Sequence, residues 1–250
     1  MNFVDSHLHL FNEYYSDIDE VIKRAKLNGV NYFINSGASK KEIPEIINLS
    51  EKYEEVYLTL GYHPSEESII SDSDIEELEK LLHHKKVIGV GEIGLDYHYP
   101  GTNKKGEEKL FRRQLELAQK LNLPVVIHSR DAVNDTINIL KEYKVKGIIH
   151  CFSGSLETAR TYINMGFYLG IGGVVTFKNS KLKDVLKELS LDNIVLETDS
   201  PYLSPFRGNK NEPSNIYYIA KFLAELYEKD ILEVSSITTN NINKIFDLNL

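Results

Sequence analysis

The sequence predicts a (β/α)8 barrel, one domain over residues 1–250 with extra helices at its C-terminal end, and three observations predict it. Short apolar runs rich in Val, Ile and Tyr alternate with longer segments of helical periodicity, the pattern of βα units around a parallel sheet. Links that leave the runs are longer and more polar than links that enter them, as in barrels that carry their chemistry on one rim. The length of 250 residues suits one α/β barrel. The competing doubly wound sheet lacks support, because no Gly-rich phosphate fingerprint follows a strand.

Taken in order, strands are expected at residues 3–6, 31–35, 56–60, 87–91, 125–128, 147–151, 167–171 and 194–198. Helices are expected at 17–27, 41–52, 74–82, 107–121, 132–143, 156–165 and 181–189, followed by two more at 216–228 and 231–246. The entering links carry breakers: Asn28-Gly29, Asn122-Leu123-Pro124, Gly147 and Gly166, each suited to stopping a helix and turning into the sheet. The leaving links at 11–16, 63–72, 98–106 and 200–214 collect on the opposite rim.

Charge and composition exclude some functions. With Lys and Arg at 29 against 37 Asp and Glu, the net charge of −8 argues against a protein that coats long duplex DNA through a broad basic face. Nucleic acid stays open as a substrate, since a cleft needs only local positive charge and bound cations supply some of it. No apolar run approaches the roughly 20 residues of a membrane span, and the start MNFVDSHLHL has no secretory pattern. A cytoplasmic protein without membrane contact is expected. The only cysteine is Cys151, which rules out an internal disulfide. No apolar stripe beyond what the barrel needs points to an obligate protein partner.

The chemistry-bearing residues concentrate at the strand ends of one rim. His7 and His9 follow strand one, Glu92 strand four, His128 strand five, His150 ends strand six and Asp199 follows strand eight. Residues two apart on a strand point the same way, so His7 and His9 face the axis together while Leu8 faces the helices. The same parity turns His150 inward and Cys151 outward. Imidazoles and carboxylates without sulfur suit Zn, Mn, Co or Fe(II), with Mg tolerated less readily. The set is too large for one tetrahedral ion, and two divalent metal ions bridged by a carboxylate use it economically.

Neighbouring residues complete the expectation. Asp5 and Glu197 share the inward parity and either orient ligands or sit as satisfied polar groups. His63 in GYHP is a substrate-side candidate, with Asp96 and His98 as further ones. Arg130 shares the parity of His128, and Arg207 and Lys210 lie in the loop after strand eight, where guanidinium forks match phosphate oxygens. Tyr97, Tyr99 and Phe206 either stack on bases near the mouth or pack on their own loops.

The segments DSHLHL, GYHP, VGEIGLDY, FRRQLELA, LPVVIHSRDA, HCFSGS, GGVVTFKN, LETDSPYLSP, RGNKNEP and TTNNINKIF run in order over essentially the whole chain. In them the sequence resembles the TatD family of metal-dependent deoxyribonucleases, within the amidohydrolase superfamily. The resemblance implies that His7, His9 and Asp199 bind one ion, that His128 and His150 bind a second, and that Glu92 bridges them. It also implies hydrolysis of phosphodiesters, commonly the 3′ to 5′ removal of nucleotides from single-stranded DNA or RNA. Asp199 and Glu92 are then the residues nearest the chemistry, with His63, Arg130 and Arg207 toward substrate. Leu8 stands where many relatives have cysteine, and Phe206 and Asn209 vary the loop before RGNKNEP. A small-molecule ester, lactone or amide hydrolase with the same dinuclear site is the alternative, and a non-enzymatic metal-storing or partner-binding barrel is a further one.

Overall fold

A computed structural model describes residues 1–250. In chain order the elements are β1 (Phe3–Leu8), α1 (Ile18–Leu27), β2 (Val30–Gly37), α2 (Ile43–Lys52), β3 (Val56–Leu60), α3 (Asp72–Leu81), β4 (Val87–Asp96), α4 (Lys104–Leu121) and β5 (Val125–Arg130). They continue with α5 (Val133–Leu140), β6 (Gly147–Ile149), α6 (Leu156–Asn164), β7 (Phe167–Ile171), α7 (Leu182–Leu186), β8 (Ile194–Leu196), α8 (Ile216–Leu226) and α9 (Ile231–Phe246). The 8-stranded sheet keeps the strands in chain order. β1 with β2, β3 with β4, β4 with β5, β5 with β6 and β7 with β8 pair in parallel. This is the topology of a (β/α)8 barrel, with α8 and α9 as the extra C-terminal helices. No helix is long and apolar enough to cross a membrane.

Two compact units divide the chain: Met1–Asn35 with His150–Leu250, and Ser36–Ile149. In the first, β1 and β8 are joined just beyond their ends, where Asp199 N donates to His7 O at 3.0 Å and His9 N to Ser200 O at 2.8 Å. Asn35 grips the chain after β1 from both sides, accepting from Leu10 N at 2.8 Å and donating to Leu10 O at 3.1 Å. The long helix α9 closes the other end. Its buried Asn241 donates to the carbonyls of Leu191 and Ile194, and Thr239 donates to the carbonyl of Asn2. These bonds satisfy backbone oxygens at the bottoms of β1 and β8, which burial would otherwise leave costly.

In the second unit β4 is the long strand, and α4 lies against it with Phe111 and Leu115 fully buried. Asn103 caps α4 by accepting from Gly106 N, and Asn122 ends it in the left-handed region at φ 53. Gln114 on its buried face bonds both the N and the O of Tyr62. Ser71 and Asp74 form a capping box on α3, and Lys40 pairs with Asp74.

The strand ends differ from expectation in informative ways. β4 was expected to stop at residue 91, yet it runs to Asp96 beside β5, in the register Ile93↔Ile127, Gly94↔His128, Leu95↔Ser129, Asp96↔Arg130. Gly94 permits this: it sits at φ +151, and a Cβ there would come within 1.9 Å of His128 O. β6 and β8 are shorter than expected, ending at Ile149 and Leu196, and the chain beyond them turns left-handed at Cys151 (φ 48) and Asp199 (φ 54). Gly147 serves by close approach, since its Cβ would meet Val125 O at 1.8 Å. The expected helix at 181–189 contracts to α7, as Ser190 caps a new 3-10 turn by accepting from Asp192 N. Replacing Gly94 with Ala is expected to cost about 3 kcal/mol or more, from backbone strain and overpacking together. Urea unfolding of the variant measures that loss.

Candidate metal centre

The first unit gathers one donor set. His7 at 0% exposure and His9 at 7% project from the end of β1. Asp199, 13% exposed, faces both, with Oδ1 at 3.6 Å from His7 Nε2 and 3.5 Å from His9 Nε2. The His150 ring lies 4.1 Å from that of His7. Ligand atoms of His7, His150 and Asp199 all lie within 4.8 Å of one another. Burial alone pushes the Asp199 carboxyl up, but the His9 hydrogen bond and the neighbouring His150 and His7 outweigh it and hold the group below the ordinary carboxylate value. The aspartate's left-handed backbone, sparsely populated for a residue with a side chain, is the kind of strain found at functional sites.

Behind these residues sit two more acids. Glu197 Oε1 accepts from Cys151 N at 2.5 Å and lies 3.6 Å from His150 Nδ1, so it can orient that imidazole. Asp5 accepts from the N and Oγ1 of Thr198 and from His7 N, and burial raises its carboxyl well above the usual value. Glu197 is the one of the two that lies beside a histidine of the set. Asp5 ties together the backbones that carry His7 and Asp199.

The second unit gathers another set on β3, β4 and β5. Glu92 Oε1 lies 2.9 Å from His128 Nδ1 and 3.9 Å from His63 Nε2, and ligand atoms of these three residues also lie within 4.8 Å of one another. Sequence reasoning placed His63 toward substrate, and the structure sets its imidazole beside Glu92 and His128. Asp96 Oδ2 lies 3.3 Å from His128 Nε2, while its Oδ1 accepts from His98 N. Burial raises the Asp96 carboxyl, but His128, the His98 N–H and Arg130 prevail and lower it. Asp96→Asn should therefore loosen His128 and cut activity by about 10- to 100-fold, with metal content measured beside the rate.

Both sets fit divalent cations by their chemistry. Each combines imidazole nitrogens with a carboxylate largely withdrawn from solvent and contains no sulfur, and packing such groups together without a cation is costly. Arg130 reaches over the Tyr99 ring at 5.6 Å and stands 4.0 Å from Asp96 Oδ2, so it belongs to the rim beside the second set. Arg207 is exposed on the loop after β8, outside the first set. Lys210 sits 4.5 Å over the Tyr15 ring, at a cavity of about 270 Å³ whose wall also includes the Arg24–Glu212 pair. Tyr202 was not singled out by sequence, although its ring lies 6.0 Å from that of His9. Its signal was present only as part of LETDSPYLSP.

The whole chain has close relatives. Residues 4–247 match the family model described as TatD related DNase. The chain is 43% identical over 252 residues to the uncharacterized metal-dependent hydrolase YabD of Bacillus subtilis, covering 98% of this chain and 99% of that protein. It is 33% identical to the uncharacterized metal-dependent hydrolase YcfH of Escherichia coli K12, over 99% of this chain and 97% of the relative. The crystal structure of the TatD homologue YjjV from E. coli K12 superposes with a TM-score of 0.94 at 32% identity, covering 99% of this chain and 98% of that one. A (β/α)8 fold with imidazole–carboxylate sets at its strand ends defines a metal-dependent hydrolase. The chain belongs to the TatD family.

Proposed function

We propose that the protein is a 3′ to 5′ exonuclease that hydrolyses phosphodiester bonds of single-stranded DNA or RNA with two divalent ions. The match of residues 4–247 to a DNase family model carries the choice of phosphodiester over other bonds. In this reading the family pattern would assign His7, His9 and Asp199 to one ion and His128 and His150 to a second, with Glu92 serving both, although His150 also lies beside His7 and Asp199. Zn, Mn, Co or Fe(II) suit so many imidazoles better than Mg. Bound ions supply Lewis acidity, lowering the pKa of a water toward neutrality and offsetting charge on the phosphate. Asp199 would accept the proton of the attacking water, Arg130 and Arg207 would hold phosphate oxygens, and His63 would face the substrate from beside Glu92. Residues 1–250 act as one catalytic domain, in a reducing cytoplasm that suits a lone cysteine.

The test is a single-stranded oligonucleotide labelled at its 5′ end, incubated with metal-loaded protein beside a panel of small esters, lactones and amides. A ladder of labelled products shortening one nucleotide at a time from the 3′ end is expected. Turnover confined to the small-molecule panel would replace the nuclease reading with that of a small-molecule hydrolase. Turnover of neither points to a non-enzymatic role.

A further inference from the structure

The mouth of the first donor set is walled by aromatic rings. His9, Phe11, Tyr14 and Tyr202 form a closed circuit, with centroid separations of 6.3 Å for His9–Phe11, 5.8 Å for Phe11–Tyr14, 6.0 Å for Tyr14–Tyr202 and 6.0 Å for Tyr202–His9. Tyr202 Oη donates to Tyr14 Oη at 3.0 Å, which locks the two phenols together. Yet the Tyr202 ring is 50% exposed, the only member of the circuit so open. An aromatic side chain held this firmly and left half bare pays little entropy on contact with a flat ligand.

The position of the ring is tied to the donors themselves. Tyr202 N donates to Asp199 O at 2.8 Å, and His9 N donates to Ser200 O at 2.8 Å, so the backbone that carries the ring is tied to the ligand residues. Buried Asn211 holds the loop from outside, donating to Tyr202 O at 2.7 Å and to Thr198 O at 2.8 Å. We propose that Tyr202, backed by Tyr14, is the stacking platform for the terminal base of a nucleic-acid strand whose phosphate lies at the first donor set. This rests on the nuclease reading and adds a base subsite to it. Every base has a π-face, and stacking involves no hydrogen-bond readout, so the platform admits all four bases and demands only that the end be single-stranded. A paired terminal base, already stacked in its duplex, would have to be freed first.

The alternative is that the ring merely buttresses His9, and the experiment separates the two. Metal-loaded protein is titrated with a single strand whose terminal linkages are non-hydrolysable and whose 3′ base is 2-aminopurine, and with the same strand ending in an abasic site. Wild type and Tyr202→Phe are expected to quench the 2-aminopurine fluorescence. Tyr202→Leu should lose the quenching and bind about tenfold more weakly, the scale of one lost base–aromatic stack. It should bind the abasic strand as wild type does. Quenching that survives in Tyr202→Leu, weakening that is equal for the abasic strand, or no quenching by wild type overturns the platform. Hydrolysis of an unmodified strand by wild type is measured alongside. Degradation without quenching removes the platform alone, whereas neither degradation nor quenching removes the nuclease reading with it.

Discussion

Asp199→Asn is expected to lower kcat/KM by about 100- to 10,000-fold, the range for losing a positioned proton acceptor, while the protein stays folded. The two halves of this expectation have separate causes. Asn keeps the shape of Asp and tolerates the left-handed region in which position 199 sits at φ 54, so the turn after β8 survives. What disappears is the negative charge facing His7, His9 and His150. A neutral amide still packs there, but it neither attracts a cation strongly nor accepts a proton. Circular dichroism and thermal melting establish the fold, and initial rates on a phosphodiester substrate establish the loss. A variant with near-wild-type rates would remove Asp199 from the chemistry and the proposed site with it.

Removing the metal is expected to abolish turnover and to lower Tm together. Cations that bind only the folded chain stabilise it by mass action, by about 2.7 kcal/mol at a hundred times the dissociation constant. A chain of this length shifts by about 2–4 °C per kcal/mol, so a drop of about 5–10 °C per well-bound ion is the expected scale. Restoring Zn, Mn, Co, Fe(II) and Mg one at a time should recover both properties, with Mg the weakest by the softness of the donors. Because imidazole nitrogens must be unprotonated to bind, metal content should also fall on acidification. Chelated, metal-free protein that keeps full activity would overturn the mechanism.

Much of this was legible in the chain because it depends on short-range regularities. Period-two alternation put His7 and His9 on one side of a strand end, and the structure brings both imidazoles to Asp199. The helices at 216–226 and 231–246 followed from their apolar spacing. What stayed hidden depends on contacts between distant segments. His63 follows β3 and Glu92 sits within β4, and nothing local to GYHP announces that the two face each other. The extension of β4 to Asp96 turns on Gly94 lying against His128 of the next strand, a fact of backbone proximity that a glycine in a sequence only hints at. Tyr202 meets His9 across nearly the full length of the chain, and its loop reads locally as a proline-containing turn.

Fully buried, Asn211 donates its amide to two carbonyls of the segment carrying Asp199 and Tyr202, while its own carbonyl accepts from the Tyr15 hydroxyl and its Oδ1 accepts from Asn215 Nδ2. The ordering of that segment is thus completed during folding rather than at each encounter with ligand. An Asn211→Ala protein would meet each ligand with a loop still to be arranged.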